Sequence, residues 1–355
     1  MKDKILFWIE DIYTHFGLAK LLQENYDYDL FAIFDVYKKP KKFFESQNMV
    51  SFKKKWFYLD EIHQTNKEPD MEYLKKIEEK YKINLWSIIH SERYFLHYNR
   101  YHKFTTNEIL SLVEQECRFF EKVIEESNPK FLFIYMTAWH HQEILFQICQ
   151  AKNIKILMTA PIRFGYKSVI THKATELIDN IEYNNIKNEE ILFNPNKTLK
   201  GFSDFKEIAY KQNSILTKFF KVMKFIMTTQ NKDYTKHFRN KGKTPLKIII
   251  KEVSKILKGR YRKYFLDRNS LKEISNKKDF VYFPLMSEPE RTSLMDAPYY
   301  ANQIEVIKNI VKSLPIEYEL WVKEHPIMSI EGWRPISYWK EINNIRNVKF
   351  IHPSV

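Results

Sequence analysis

Glycine is scarce in this chain: there are six in 355 residues, Gly17, Gly165, Gly201, Gly242, Gly259 and Gly332. They are too far apart to form a glycine-rich, phosphate-cradling loop, which excludes that fingerprint as a means of binding a nucleotide. The two cysteines, Cys117 and Cys149, exclude a disulfide framework and read as small buried hydrophobes suited to a reducing cytoplasm. No apolar run approaches the ~20 residues of a membrane span. Residues 1–10 hold Lys2 and Lys4 beside a short apolar stretch that acids interrupt, which predicts a first β-strand rather than a signal peptide. Solenoid repeats and recognised nucleic-acid motifs are also missing, so no nucleic-acid partner is expected.

What is present describes a packed protein. Hydrophobic residues make up 44% of the chain and aromatic residues 16%, and the length suffices for two domains with separate cores. The net charge of +14 is confined to one region. Residues 211–263 hold sixteen Lys and Arg against Asp233 and Glu252, and the rest of the chain has forty-two residues of each sign. Within that region Leu216, Phe219, Phe220, Met223, Ile226 and Met227 recur at helical spacing, with Lys218, Lys221 and Lys224 between them. That pattern suits either a basic amphipathic helix on an anionic membrane surface or a solvated interdomain helix. A cytoplasmic protein, able to sit on the inner face of the cytoplasmic membrane, is the expectation.

Apolar runs alternate with helical patterns in three βαβ-like units, which predicts parallel sheets covered by helices. The first has strands at 5–9 and 30–34 around a helix through Leu18, Leu21 and Leu22. The second has strands at 131–135 and 154–158 around a helix through Ile144, Leu145 and Ile148. In the third, strands at Val281-Tyr282-Phe283 and Leu320-Trp321-Val322 flank a helix at 304–314, and a further strand follows at 348–351. Helices are also expected at 71–81 and at 106–127, with Thr106 as the N-cap and Pro129 marking the exit. These elements divide the chain into a first domain at 1–180, a basic helical linker at 181–275 and a second domain at 276–355.

Polar clusters fall where the strands stop, the place where open α/β sheets bind ligands. Pro284-Leu285-Met286-Ser287-Glu288-Pro289-Glu290-Arg291-Thr292 follows one strand and Lys323-Glu324-His325-Pro326 the next. With Trp333, Tyr338, Asn347 and Ile351-His352-Pro353 downstream, this segment resembles the capsular polysaccharide biosynthesis proteins. Asn84-Leu85-Trp86, Arg93-Tyr94-Phe95 and residues 114–129 extend the likeness to the first half. That family comprises surface-carbohydrate glycosyltransferases of the GT-B type, related to the Kdo-transferring capsule enzymes. The resemblance implies an α/β fold of two Rossmann-like domains with parallel sheets. It also implies a nucleotide-sugar donor, CMP-linked donors among the candidates, a glycan or glycolipid acceptor, and no metal. Further strands and a small-residue donor loop are implied beyond residue 355, so a C-terminally truncated second domain, inactive and poorly soluble by itself, with an exposed edge at 348–351, is expected.

Several residues suit glycosyl transfer, which leaves negative charge on a departing phosphate and requires a base for the acceptor hydroxyl. His325 can donate to that phosphate, with Pro326 shaping the turn and Lys323 adding charge; a His-Pro pair plays this part in related transferases, and His352-Pro353 repeats the dipeptide. Glu288 and Glu290 can hold sugar hydroxyls or act as a base, with Arg291 beside them on the donor side. In the first half Glu10, Asp11, His140 and His141 are candidate bases, while Gly17 and Trp139 are candidates for acceptor contact. His140 and His141 have no third ligand at zinc spacing. Asp27-Tyr28-Asp29 precedes a strand instead of ending one, which argues against a metal-binding Asp-x-Asp. A sugar-nucleotide epimerase of the same architecture and a non-catalytic glycan-assembly protein are the alternatives.

Overall fold

A computed structural model describes residues 2–63, 67–98, 101–161, 168–174, 220, 237–273, 279–330 and 332–355. The chain divides into two compact units, Met1–Leu199 with Asp233–Lys241, and Lys200–Lys232 with Gly242–Val355. Both are α/β units, the first on a mostly parallel sheet and the second on a parallel one, as the strand and helix patterns predict and in keeping with the Rossmann-like class that the resemblance implies. Of the proposed amphipathic helix at 216–227 only Phe220, helical and exposed, is among the described residues.

The first unit runs β1 (Lys4–Ile9), α1 (Thr14–Asn25), β2 (Asp29–Phe34), α2 (Lys38–Ser46), β3 (Lys54–Phe57), α3 (Tyr58–Glu61), α4 (Met71–Tyr81) and α5 (Leu85–Ser91). A π turn at Tyr94–Tyr98 leads to α6 (Thr106–Ser127), β4 (Phe131–Tyr135), α7 (His140–Ala151), β5 (Lys155–Pro161) and β6 (Ser168–Thr171). The strand order is β3-β2-β1-β4-β5-β6, and every pairing is parallel except that of β5 with β6. Ile5 pairs with Leu30 on one side and Phe131 on the other, so β1 is central and the strand order reverses beside it. Strands covered on both faces read as continuous apolar runs, as Ile5-Leu6-Phe7-Trp8-Ile9 does. Alternation splits that run between two cores. Leu6 and Trp8 join Ile33, Leu132, Phe120 and Ile144 on one face, while Ile5, Phe7 and Ile9 join Phe34, Phe44 and Phe133 on the other.

Local signals set the helix ends. The N-cap of α6 is Thr105, one residue earlier than the sequence suggests. Its hydroxyl accepts from the Glu108 amide, and the Glu108 carboxylate reaches back to the Thr105 amide, a reciprocal arrangement that Thr106 is placed too late to make. Asn128 closes the helix in the left-handed conformation with φ 41°.

In the second unit α8 (Pro245–Asn269) is capped by Thr244 with proline in the first turn. β7 (Phe280–Pro284), α9 (Gln303–Ser313), β8 (Glu319–Lys323), α10 (Ile336–Asn344) and β9 (Val348–Ile351) follow. The three strands pair in parallel in the order β7-β8-β9 over a core of Leu266, Ile304, Ile307, Leu320, Val322, Trp339, Ile342 and Phe350. The edge expected to lie bare at β9 is partly covered. Leu271 bridges Ile351 in parallel, its amide donating to the Phe350 carbonyl at 2.9 Å and its carbonyl accepting from the His352 amide at 2.8 Å. The more open strand is β7, whose Phe280 and Tyr282 are 41% and 49% exposed. No described helix is long and apolar enough to cross a membrane.

Candidate active-site residues at the strand ends

In the first unit the ends of β1, β2 and β4 meet where the strand order reverses, the usual ligand position in a sheet of this kind. Glu10 follows β1 and is half-buried, accepting from Trp8 Nε1 at 3.3 Å and from the Gln142 side chain on α7. Burial, reinforced by the nearby Asp35 carboxylate, pushes its carboxyl up to about 7. Asp11, the next residue, is exposed. Gly17 lies inside the first turns of α1, where an added Cβ meets nothing within 4 Å, so packing does not require a glycine there. Trp139 precedes α7, its ring 4.8 Å from Tyr94 and under the Arg93 guanidinium at 4.0 Å.

His140 and His141 open α7 and are buried. His140 is clamped between two carboxylates: Nδ1 meets Glu92, whose other contacts include the His140 amide at 2.9 Å, and Nε2 lies 3.0 Å from Glu116 Oε1. Burial alone lowers an imidazole, but Glu116 and Glu92 outweigh it and raise His140 to about 9. His141 stacks on Tyr58 at 4.7 Å, and its Nε2 lies 3.4 Å from Asp35 Oδ2 and 3.1 Å from Arg239 Nη2. Burial lowers its basicity, which its hydrogen bond to Asp35 only partly offsets. Arg239 forks onto Asp35 at 3.1 and 2.9 Å. Burial alone raises the Asp35 carboxyl; Arg239 and His141 reverse this and hold it well below the carboxylate range. Sequence spacing offers no third partner beside the two histidines, yet the fold brings up Glu116, a residue of a different helix.

His15, in the turn that holds Gly17, is also buried. Its Nδ1 donates to the Trp8 carbonyl at 2.8 Å, so Nε2 accepts from the Thr159 hydroxyl at 2.7 Å, which fixes a neutral tautomer that ties β1 to β5.

In the second unit the ends of β7 and β8 carry a more completely paired cluster. Glu324 is fully buried: one oxygen accepts from the His325 amide at 2.7 Å and Arg334 Nε at 3.1 Å, the other from Trp339 Nε1 at 2.7 Å. Arg334 also reaches Glu288 at 2.9 Å and the Met286 carbonyl, while Gln303 donates to the other Glu288 oxygen. Glu288, expected to hold sugar hydroxyls, thus has both oxygens engaged by neighbours. Glu290 lies two residues before the π turn at Thr292–Asp296, its carbonyl accepting from the Leu294 amide at 3.1 Å. Arg291 is buried and paired with Asp296. His325 caps a 3-10 turn begun by Pro326; its Nδ1 accepts from the Ile327 amide at 3.2 Å, which leaves the ring proton on Nε2. Lys323 ends β8 and donates to the Val355 carbonyl. His352 pairs with Asp267 at 3.0 Å.

Sequence reasoning missed Asp35, Tyr58, Glu92, Glu116, Arg239, Gln142, Gln303 and Arg334, and gave Glu324 no role. The signal available for Asp35 was its position directly after β2, and for Glu324 its place inside the Lys-Glu-His-Pro run.

No family model and no curated protein sequence matches this chain. Among solved structures it is similar to UDP-GlcNAc 2-epimerase from Methanocaldococcus jannaschii, at 12% identity and a TM-score of 0.24, covering 99% of this chain and 73% of that one. The UDP-GlcNAc 2-epimerase from Neisseria meningitidis bound to UDP-GlcNAc matches at 10% identity and 0.25, covering 99% and 72%. A putative UDP-N-acetylglucosamine 2-epimerase from Listeria monocytogenes matches at 9% and 0.26, covering 99% and 70%. These names correspond to the epimerase alternative rather than to a capsule transferase, and scores this low transfer none of their chemistry to this chain.

Proposed function

We propose that this chain is an enzyme acting on nucleotide-activated sugars, and that it transfers the glycosyl unit to a cell-surface glycan or glycolipid acceptor. The observation that carries the reading is Glu10: a carboxyl held near neutrality at the end of the central parallel strand is suited to take a proton from an acceptor hydroxyl. In the second unit the His325 Nε2 proton supplies a donor for the phosphate of the leaving nucleotide. Asp11, Gly17 and Trp139 are assigned to the acceptor side, and Lys323, Glu290 and Pro326 to the donor side; of these only Asp11 and Pro326 are chain neighbours of the two groups.

Sugar-nucleotide epimerisation, the activity in the names of the neighbouring structures, is the second reading. The deciding experiment offers the full chain a panel of UDP- and CMP-linked sugars with and without glycan acceptors, following nucleotide release by chromatography and the sugar by NMR. Release that depends on acceptor supports transfer. An inverted sugar carbon without acceptor supports epimerisation, and no consumption under any condition contradicts both.

A membrane-borne acceptor suits α8. Leu246, Ile250, Val253, Leu257, Tyr261 and Tyr264 recur along one side of this helix at helical spacing and are each more than half exposed, while Ile248 and Leu266 face the core. Lys247, Lys251 and Lys258 are exposed alongside the stripe. A basic rim around an apolar stripe is complementary to an anionic lipid surface. Co-sedimentation with phosphatidylserine vesicles that falls with salt and with Leu257→Asp supports this reading; no binding at low salt removes it.

A further inference from the structure

We infer that Glu116, His140 and His141 form a buried site for one transition-metal dication of the zinc class, which ties α6 to α7. One ligand atom from each residue lies within 4.8 Å of the other two, and all three side chains are closed off from solvent. Two atoms of the group, Glu116 Oε2 and His141 Nδ1, are buried with no hydrogen-bond partner. Orphaned polar atoms at this depth are rare because each forfeits its hydration without recompense. Here one is a carboxylate oxygen and the other an imidazole nitrogen, the two donor types that zinc takes together with a second histidine.

The surroundings match what a metal-binding histidine requires behind it. Such a ring hydrogen-bonds a carboxylate through its second nitrogen, which fixes the tautomer and aims the first nitrogen at the ion. His140 has Glu92 at Nδ1, which leaves Nε2 facing Glu116 at 3.0 Å. His141 Nε2 lies 3.4 Å from Asp35 Oδ2 and 3.1 Å from Arg239 Nη2, so a metal at Nδ1 requires the ring proton to sit on Nε2 and turn to Asp35 in place of the Arg239 contact. Tyr58 donates to Glu116 Oε1, orienting that carboxylate from its other side.

Charge favours the same ligand. Glu92 and Glu116 share a single imidazole, so among the described residues their two buried negative charges have at most one positive charge in direct contact. A dication in place of the proton on His140 Nε2 offsets both. The Arg239 guanidinium lies 3.1 Å from His141 Nε2, but it is held in a two-pronged pair by Asp35. Bonds of about 2.0–2.1 Å require the three side chains to draw inward, and water or the second Glu116 oxygen completes the tetrahedron. This site stands against the sequence expectation of a metal-free protein and is independent of the sugar chemistry.

The test uses the full chain purified from zinc-supplemented cells and, separately, refolded with Co²⁺. Roughly one metal per chain by mass spectrometry, visible cobalt ligand-field bands of tetrahedral type, and a raised melting temperature are expected. Glu116→Gln and His141→Ala should each lose the metal, whereas His102→Ala, at a separate His-Glu pair, should keep it. Less than about a tenth of an equivalent in folded wild-type protein under both conditions overturns the site whatever the variants do. Metal content that survives the Glu116→Gln/His141→Ala double change also overturns it.

Discussion

The two units place polar clusters at the same topological position, the carboxyl ends of parallel strands, but balance their charges differently. In the second unit Glu324 accepts three hydrogen bonds and shares Arg334 with Glu288, whose remaining oxygen is taken by Gln303. In the first unit burial, and then the nearby Asp35 carboxylate, disfavour the ionised form of Glu10, whose hydrogen-bond donors among the described residues, Trp8 and Gln142, are neutral. A fully satisfied carboxylate is a brace, whereas an under-compensated one is poised to exchange a proton. Under the proposed function, proton transfer is therefore expected in the first unit, at Glu10.

The contrast is tested most severely by removing the brace. Arg334→Met leaves Glu324 buried and Glu288 without its cation, and should destabilise the second unit by ~3–5 kcal/mol. Hydrogen exchange should quicken across β7, β8 and α10 while β1 and β4 keep their protection; uniform loss in both units would erase the distinction. A smaller effect is expected at His325, where His325→Ala should lower turnover by ~10²–10³ if Nε2 donates to the departing phosphate. Unchanged turnover in a folded variant leaves the second unit without an assigned catalytic donor.

The mildest effect concerns stability. Glu10 has a raised pKa in the folded chain, so its stabilising contribution is complete below the ordinary carboxylate range and is lost as pH rises through about 7. Glu10→Gln, which can still accept from Trp8 and Gln142, should therefore gain stability relative to wild type between pH 5 and 8 and hold a constant margin above that. Denaturant midpoints across that range check it, and a margin independent of pH would show that Glu10 is ionised like a surface acid.

Much of the fold was legible because burial leaves a periodic trace. The α4 and α6 spans follow directly from helical spacing, and β1, β2, β4, β7 and β8 from apolar runs that both faces or one face of a sheet demand. β3 was missed because Lys54-Lys55-Trp56-Phe57 is short and half charged, and β6 because an antiparallel return has no following helix to announce it. The site was less legible for a different reason. His140 and His141 stand out in sequence, but their partners Glu92, Glu116 and Asp35 arrive from α6 and from loops beside α5 and β2, at separations no local pattern encodes. Arg239 was hidden in the basic region, where a run of lysines suggests solvated charge; the fold instead takes this one guanidinium inside the first unit.

The central claim, that Glu10 is the proton-accepting group, is tested most directly by the pH profile of kcat/KM for acceptor-dependent consumption of a nucleotide sugar. A base must be ionised to work, so wild-type activity should rise with pH through about 7, and Glu10→Gln should fall by ~10²–10⁴ and lose that rise. A wild-type profile flat from pH 5 to 8, or a Glu10→Gln variant with wild-type turnover, would contradict the account.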